Sequence, residues 1–99
     1  MNITAKGTSA PLPWPGGYGT LIVAGDLDGN DVTIEGDYDV GEWIIQRDLG
    51  GEPIVIRNTT TVNFLTAKCT LRLNVDGGGE SPDIKYSLRV LPVQVAQRY

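Results

Sequence analysis

Two runs decide the fold: Cys69-Thr70-Leu71-Arg72-Leu73-Asn74-Val75-Asp76 and Asp83-Ile84-Lys85-Tyr86-Ser87-Leu88-Arg89-Val90-Leu91-Pro92. In the first, Cys69, Leu71, Leu73 and Val75 alternate with Thr70, Arg72 and Asn74. In the second, Ile84, Tyr86, Leu88 and Val90 alternate with Lys85, Ser87 and Arg89. An apolar residue at every second position marks a strand with one dry and one wet face. Gly77-Gly78-Gly79-Glu80-Ser81-Pro82 between them is a flexible connection able to reverse the chain, so the pair predicts an antiparallel hairpin. Its dry face needs a second layer, which the rest of the chain must supply.

Upstream the same grammar repeats. Tyr18–Gly25 is an apolar strand with Leu21 and Val23 on one face and Ile22 on the other. Asp26–Asn30 contains Asp28-Gly29, a pair that suits tight hairpin turns. Asp31–Tyr38 is the returning strand, with Val32 and Ile34 inward and a bulge expected at Gly36. After the turn Asp37–Gly41, Glu42–Arg47 is a third strand, with Trp43 and Ile45 opposite Ile44. Ile54–Arg57 and Val62–Leu65 are shorter strands, and Val93–Gln97 extends the last strand or pairs at an edge. The spacing predicts an all-β fold: a small antiparallel β-sandwich or barrel of about seven to eight strands.

Residues 1–17 read as a Pro-rich N-terminal arm, and 18–99 as the β-sandwich domain. Pro11, Pro13 and Pro15 force extended backbone and remove ladder donors. Trp14 and Tyr18 sit beside them. Trp14 either caps one end of the core or docks on a neighbouring subunit, and the residues leave both open. Trp14, Tyr18 and Tyr99 are the candidate partner-interface residues, because aromatics bring large contact area at low entropy cost.

The totals narrow the function. Ninety-nine residues make one domain, and 40% apolar content suits a folded chain. Eight basic against twelve acidic residues give a net charge of −4, with no basic cluster to follow a phosphate backbone, so no nucleic acid is expected. Arg57, Arg72 and Arg89 read most simply as cross-strand partners of carboxylates. A single cysteine excludes an internal disulfide framework. No apolar run approaches the ~20 residues of a membrane helix, and no basic-then-apolar leader opens the chain, so neither a membrane nor Sec export is expected.

Reactive constellations are scarce. The chain has no histidine, which removes the commonest general base and metal ligand. Cys69, at an inward strand position, reads as a buried thiol packed like a small hydrophobe. Gly77-Gly78-Gly79 lacks the lysine and hydroxyl of a phosphate loop. Asp26-Leu27-Asp28-Gly29-Asn30-Asp31 starts like a calcium loop. It then departs from that pattern at Asp31 and Asp37, where glycine and glutamate belong, so an ordinary turn is the plainer account. Neither an enzyme nor a cofactor or metal is expected.

The order of pieces resembles small β-rich structural proteins of tailed bacteriophages. The resemblance is carried by Gly19–Gly25, a glycine-containing turn, Val32–Glu35, a tryptophan strand at Glu42–Ile45, Thr61–Leu65, and a final pair split by glycines, Thr70–Val75 and Ile84–Val90. It implies a virion component, a capsid decoration or head-fibre module without catalytic residues, bound to virion proteins such as the major capsid protein. It also implies a homo-oligomer, a trimer by preference, assembled in the host cytoplasm. The alternative is a carbohydrate- or receptor-binding sandwich with Trp14, Tyr18, Tyr38 or Trp43 as a stacking platform, where core burial is the competing account of Trp43.

Overall fold

The computed structural model describes residues 1–91. Ten strands form two antiparallel sheets packed face to face: β1 (Asn2–Ile3), β2 (Gly7–Thr8), β3 (Leu12–Trp14), β4 (Gly17–Asp26), β5 (Asp31–Asp37), β6 (Trp43–Ile45), β7 (Val55–Ile56), β8 (Thr60–Thr66), β9 (Cys69–Asp76) and β10 (Asp83–Val90). One sheet has the order β1-β10-β4-β8. The other runs β2-β9-β5-β6, with β3 also on β9 and β7 also on β5. This is the expected small β-sandwich, with two- and three-residue strands added near the N-terminus.

The period-two faces fall as the alternation predicts. Leu71, Leu73 and Val75 of β9, Val32 and Ile34 of β5, Leu21 and Val23 of β4 and Ile84 of β10 point between the sheets and are fully enclosed. Each such side chain contributes roughly 1.5–3 kcal/mol by leaving water. Phe64 of β8 completes the centre of this core.

The connectivity differs from the expected hairpins. β9 and β10 do not pair: β9 lies on β5, with Val32 opposite Val75, and β10 lies on β4, with Tyr86 opposite Val23. Nor does β4 pair with β5. Both connections, Leu27–Asn30 and Gly77–Pro82, cross from one sheet to the other. Sheets that pack face to face lie ~10 Å apart, a gap that a four- or six-residue connection spans. Burial favours the crossing. Leu27 and Pro82 close the end of the core, where tight hairpins would leave them in water.

The two arches are stitched together by Asn30, which is 1% exposed. Its Nδ2 donates to the carbonyls of Leu27 (2.9 Å) and Gly79 (3.0 Å), and its Oδ1 accepts the Gly78 N–H (2.8 Å). Asp28 adds two links: its carbonyl accepts the Gly79 N–H, and its Oδ2 accepts the Ser81 N–H. Asp26 Oδ1 accepts the Asp28 N–H. In the calcium-like stretch the Asp26 and Asp28 carboxylates are thus used as turn acceptors, while Asp31 pairs Arg57.

Residues 1–17 are woven into both sheets. β1 pairs β10, while β2 and β3 pair β9, with Pro13 opposite Thr70 on the sheet's edge, where a missing donor is tolerated. Trp14 lies in the core, 3% exposed, with its ring centroid 5.2 Å from that of Phe64. Gly19 makes room for it: a Cβ there would stand 2.5 Å from the indole and 2.8 Å from Phe64.

Candidate functional site

One flank of the sandwich stands out, built outward from β5. The pairs Glu35–Ile45, Gly36–Ile44 and Asp37–Trp43 lay β6 on its outer side. The Gln46 N–H donates to the Ile34 carbonyl at 2.8 Å. By the alternation of an antiparallel ladder, Ile44 then bonds Gly36, while the N–H and C=O groups of Trp43 and Ile45 point away from β5. Among the described residues no strand lies beyond them. Past Gln46 the chain leaves this sheet, and Asp48 bridges Phe64 of β8 in the other.

This flank is apolar. Val40, Ile44, Ile45, Leu49 and Val55, carried by β6, β7 and the loops beside them, are five of the ten large hydrophobic residues that the described chain exposes. Ile45 (46% exposed) and Val55 share the outer sheet face. Ile44 (42% exposed) takes the inner face, where the opposite sheet does not reach. β6 is therefore apolar on both sides. The turn before it carries Asp37, Asp39 and Glu42; the cation that follows is Arg47.

Two devices fix β6 in place. The first is a polar clamp. The Tyr38 hydroxyl donates to Gln46 Oε1 at 2.7 Å and also meets the Thr66 hydroxyl at the end of β8. Gln46, 6% exposed, donates from Nε2 to the Ile44 carbonyl at 3.0 Å. The clamp ties the two sheets together directly behind the edge. It also explains Gly36, which forms no bulge, since the β5 register with β9 is continuous. A Cβ at Gly36 would stand 2.7 Å from Gln46 Nε2 and 3.0 Å from the Tyr38 ring, so glycine leaves space for the clamp. Burial pushes the Tyr38 phenol above its ordinary pKa, partly offset by the bond with Thr66, and burial pushes the neighbouring Cys69 thiol up too.

The second device is a stack. The Arg72 guanidinium lies 3.9 Å from the centroid of the Trp43 ring, and its Nε donates to Glu35 Oε1 at 2.8 Å. Trp43 is thus half-buried on the outer face of its sheet, not in the core, because its cross-strand partner Asp37 points outward too. Beside it Asp37, Asp39, Gly41 and Glu42 line an open cavity of about 380 Å³.

The other sequence candidates scatter. Trp14 is the tryptophan that enters the core, so its indole is not on the surface. Tyr18 is 39% exposed on the outer face of the opposite sheet, beside Leu65. Tyr99 and the run Val93–Gln97 lie outside the described residues. Arg72 pairs Glu35 and Arg57 pairs Asp31, the cross-strand use expected of them, whereas Arg89 lies in the other sheet and donates to Ser87. The β6 edge went unnoticed in the sequence, although Trp43-Ile44-Ile45, three apolar residues in a row, break the alternation there. No family model, curated protein or solved structure matches the chain.

Proposed function

We propose that this chain is a structural component of a tailed-phage virion that works by adhesion, as a capsid decoration or head-fibre module. The observation that carries the adhesive part is the apolar flank at β6. Exposed apolar side chains gathered along one edge favour interaction with a partner, and an open strand edge adds main-chain pairing to them. The virion setting rests on the resemblance in the order of strands and turns, and the partner it implies is the major capsid protein. The work done is burial of the flank against a neighbouring subunit. The chain thereby covers a junction in the lattice and stabilises it by mass action. The test is co-sedimentation of the purified chain with capsids assembled from the major capsid protein of the phage that would encode it. Binding should weaken roughly 10–100-fold in Ile45→Lys or Leu49→Asp, as expected for truncating a buried anchor. A chain that ignores capsids, or binds them equally well with either substitution, removes the proposal.

Carbohydrate binding is the second reading, favoured by the half-exposed Trp43 ring beside Asp37, Asp39 and Glu42. A sugar stacks its C–H face on such a ring, and carboxylates accept its hydroxyls. Binding on a glycan array that disappears in Trp43→Ala supports this reading over the first.

A further inference from the structure

The β6 edge has an occupant that its own sequence specifies. We propose that two copies of this chain pair edge to edge through β6, antiparallel about a two-fold axis at Ile44. The inference rests on the adhesive reading of this flank and names the partner for one part of it.

Three observations point to a second copy. The first is backbone direction. Trp43 and Ile45 turn their N–H and C=O groups outward, so the hydrogen-bonding positions of one copy meet those of the other when Trp43 lies opposite Ile45 and Ile44 opposite Ile44. The second is composition. Trp43, Ile44 and Ile45 are apolar on both faces, so the same three residues serve either side of an isologous contact. Cross-strand aromatic and β-branched pairs are the favourable kind.

The third observation is charge. Carboxylates precede the strand, at Asp37, Asp39 and Glu42, and Arg47 follows it. Among the described residues Arg47 has no carboxylate within salt-bridge distance; its Nη1 donates to the Gly51 carbonyl. Antiparallel pairing about Ile44 sets Arg47 of each copy beside the acidic turn of the other, at both ends of the contact. Parallel pairing would set acid against acid. The charges thus select the antiparallel register as well as allow it.

The contact is small. Three paired residues per copy, with Val40 and the flanking turns, fall short of the roughly 20–30 residues a side of a standard interface. The expected dimer is weak, with a Kd on the order of 10–100 μM. Within a lattice, a weak pair is reinforced by the other attachments of each copy. Isologous pairing also uses the edge once and closes at two, so this strand favours a dimer over the trimer that the resemblance implies.

Sedimentation velocity on the purified full chain, across a concentration series, tests the proposal without any capsid. It therefore fails or succeeds independently of particle binding. A monomer–dimer equilibrium is expected, weakening with added salt. Arg47→Glu should raise the Kd by at least about tenfold, and adding Asp39→Arg and Glu42→Arg to it should restore most of the affinity. All three positions are exposed. Amide hydrogen exchange on the unaltered chain gives a second measure that no variant can spoil: the Trp43 and Ile45 amides should exchange more slowly as concentration rises. A monomer at every concentration, a trimer, or edge amides indifferent to concentration would each overturn the proposal. So would a charge swap that fails to rescue a well-folded Arg47→Glu.

Discussion

Replacing Asn30 with alanine tests the connectivity of the sandwich directly. In the structure Asn30 is enclosed and its side chain makes three hydrogen bonds that lock the Leu27–Asn30 arch onto the Gly77–Pro82 arch. Asn30→Ala leaves the Gly78 N–H and the Gly79 carbonyl without these partners. A buried group left unpaired costs about 1–3 kcal/mol. Gly78 and Gly79 are half-buried, so water recovers part of that cost, and the Leu27 carbonyl keeps the backbone N–H of residue 30. The loss should therefore total about 3 kcal/mol, out of the roughly 5–15 kcal/mol of a domain this size. At roughly 4–8 °C per kcal/mol, the melting temperature falls by about 12–24 °C while the fold survives. Asn30→Asp keeps the acceptor for Gly78 but sets a carboxylate against two carbonyls, so it should lose at least as much at neutral pH. Thermal melts by circular dichroism and urea midpoints measure both variants. Were β4 and β5 a tight hairpin, Asn30 would be a solvated turn residue and the change would stay within about 0.5 kcal/mol. A melting shift under about 4 °C would refute the stitched arches.

Gly19→Ala should cost about 1–3 kcal/mol and alter the near-ultraviolet dichroism of Trp14, because the added methyl meets the indole and Phe64, which are packed too tightly to yield. Unchanged spectra and stability would show that Trp14 is not where it is placed. Gly36→Ala should cost a similar amount, about 1–3 kcal/mol, by displacing Gln46 and Tyr38, and slower hydrogen exchange behind β6 in that variant would contradict the clamp. Arg72→Ala removes the stack on Trp43 and the bond to Glu35. Stability should drop by only about 1–2 kcal/mol, but acrylamide quenching of tryptophan fluorescence should rise, since Trp14 is shielded and Trp43 supplies the change. The folded chain holds the Tyr38 and Cys69 protons more tightly than the unfolded chain does. The stability these groups provide is thus full at neutral pH and is lost as pH climbs above about 9, through the raised folded pKa values. The double variant Tyr38→Phe, Cys69→Ala should show a shallower alkaline decline, and equal slopes would dismiss the effect.

The faces were legible in the sequence; the neighbours were not. A period of two states which side of a strand is dry, and Leu21, Val23, Val32, Ile34, Leu71 and Leu73 all lie on the side it names. It is silent about which strand lies alongside, because β9 alternates in the same way whether β10 or β5 is its partner. The clue was in the connections. Leu27 and Pro82 are apolar residues inside supposed turns, and a hairpin has no place to bury them. On sequence alone Trp14 stays open between core and interface, and Trp43 is expected in the core, for a related reason. Proline beside Trp14 suggested an extended arm outside the sheets, yet extended backbone is also what an edge strand needs, and β3 is one. Trp43 sits in the strand whose partner residues, Glu35 and Asp37, face water, and no local pattern reveals that pairing. Gly36 is similar. A glycine in a strand suggests a bulge, whereas here it answers a contact with Gln46, ten positions away in sequence.

The edges of the two sheets are managed unequally, and that inequality supports adhesion. β1 is only two residues long, and β3 carries Pro13 with Pro11 and Pro15 on either side. β8 is bridged by Asp48 at Phe64. Short strands, prolines and covering segments are the usual ways of blocking unwanted pairing. β6 is short as well, at three residues, but it has no proline, no lysine and no bulge, no strand covers its outer side among the described residues, and it is apolar on both faces. Yet β6 is held more firmly than an edge of three residues requires. Gln46 and Tyr38 anchor it from behind, and Arg72 presses Trp43 against the sheet. A strand that was merely incidental would fray, and one that was merely hazardous would be blocked. A strand kept both rigid and open presents its pairing groups already ordered, which lowers the entropy cost of binding.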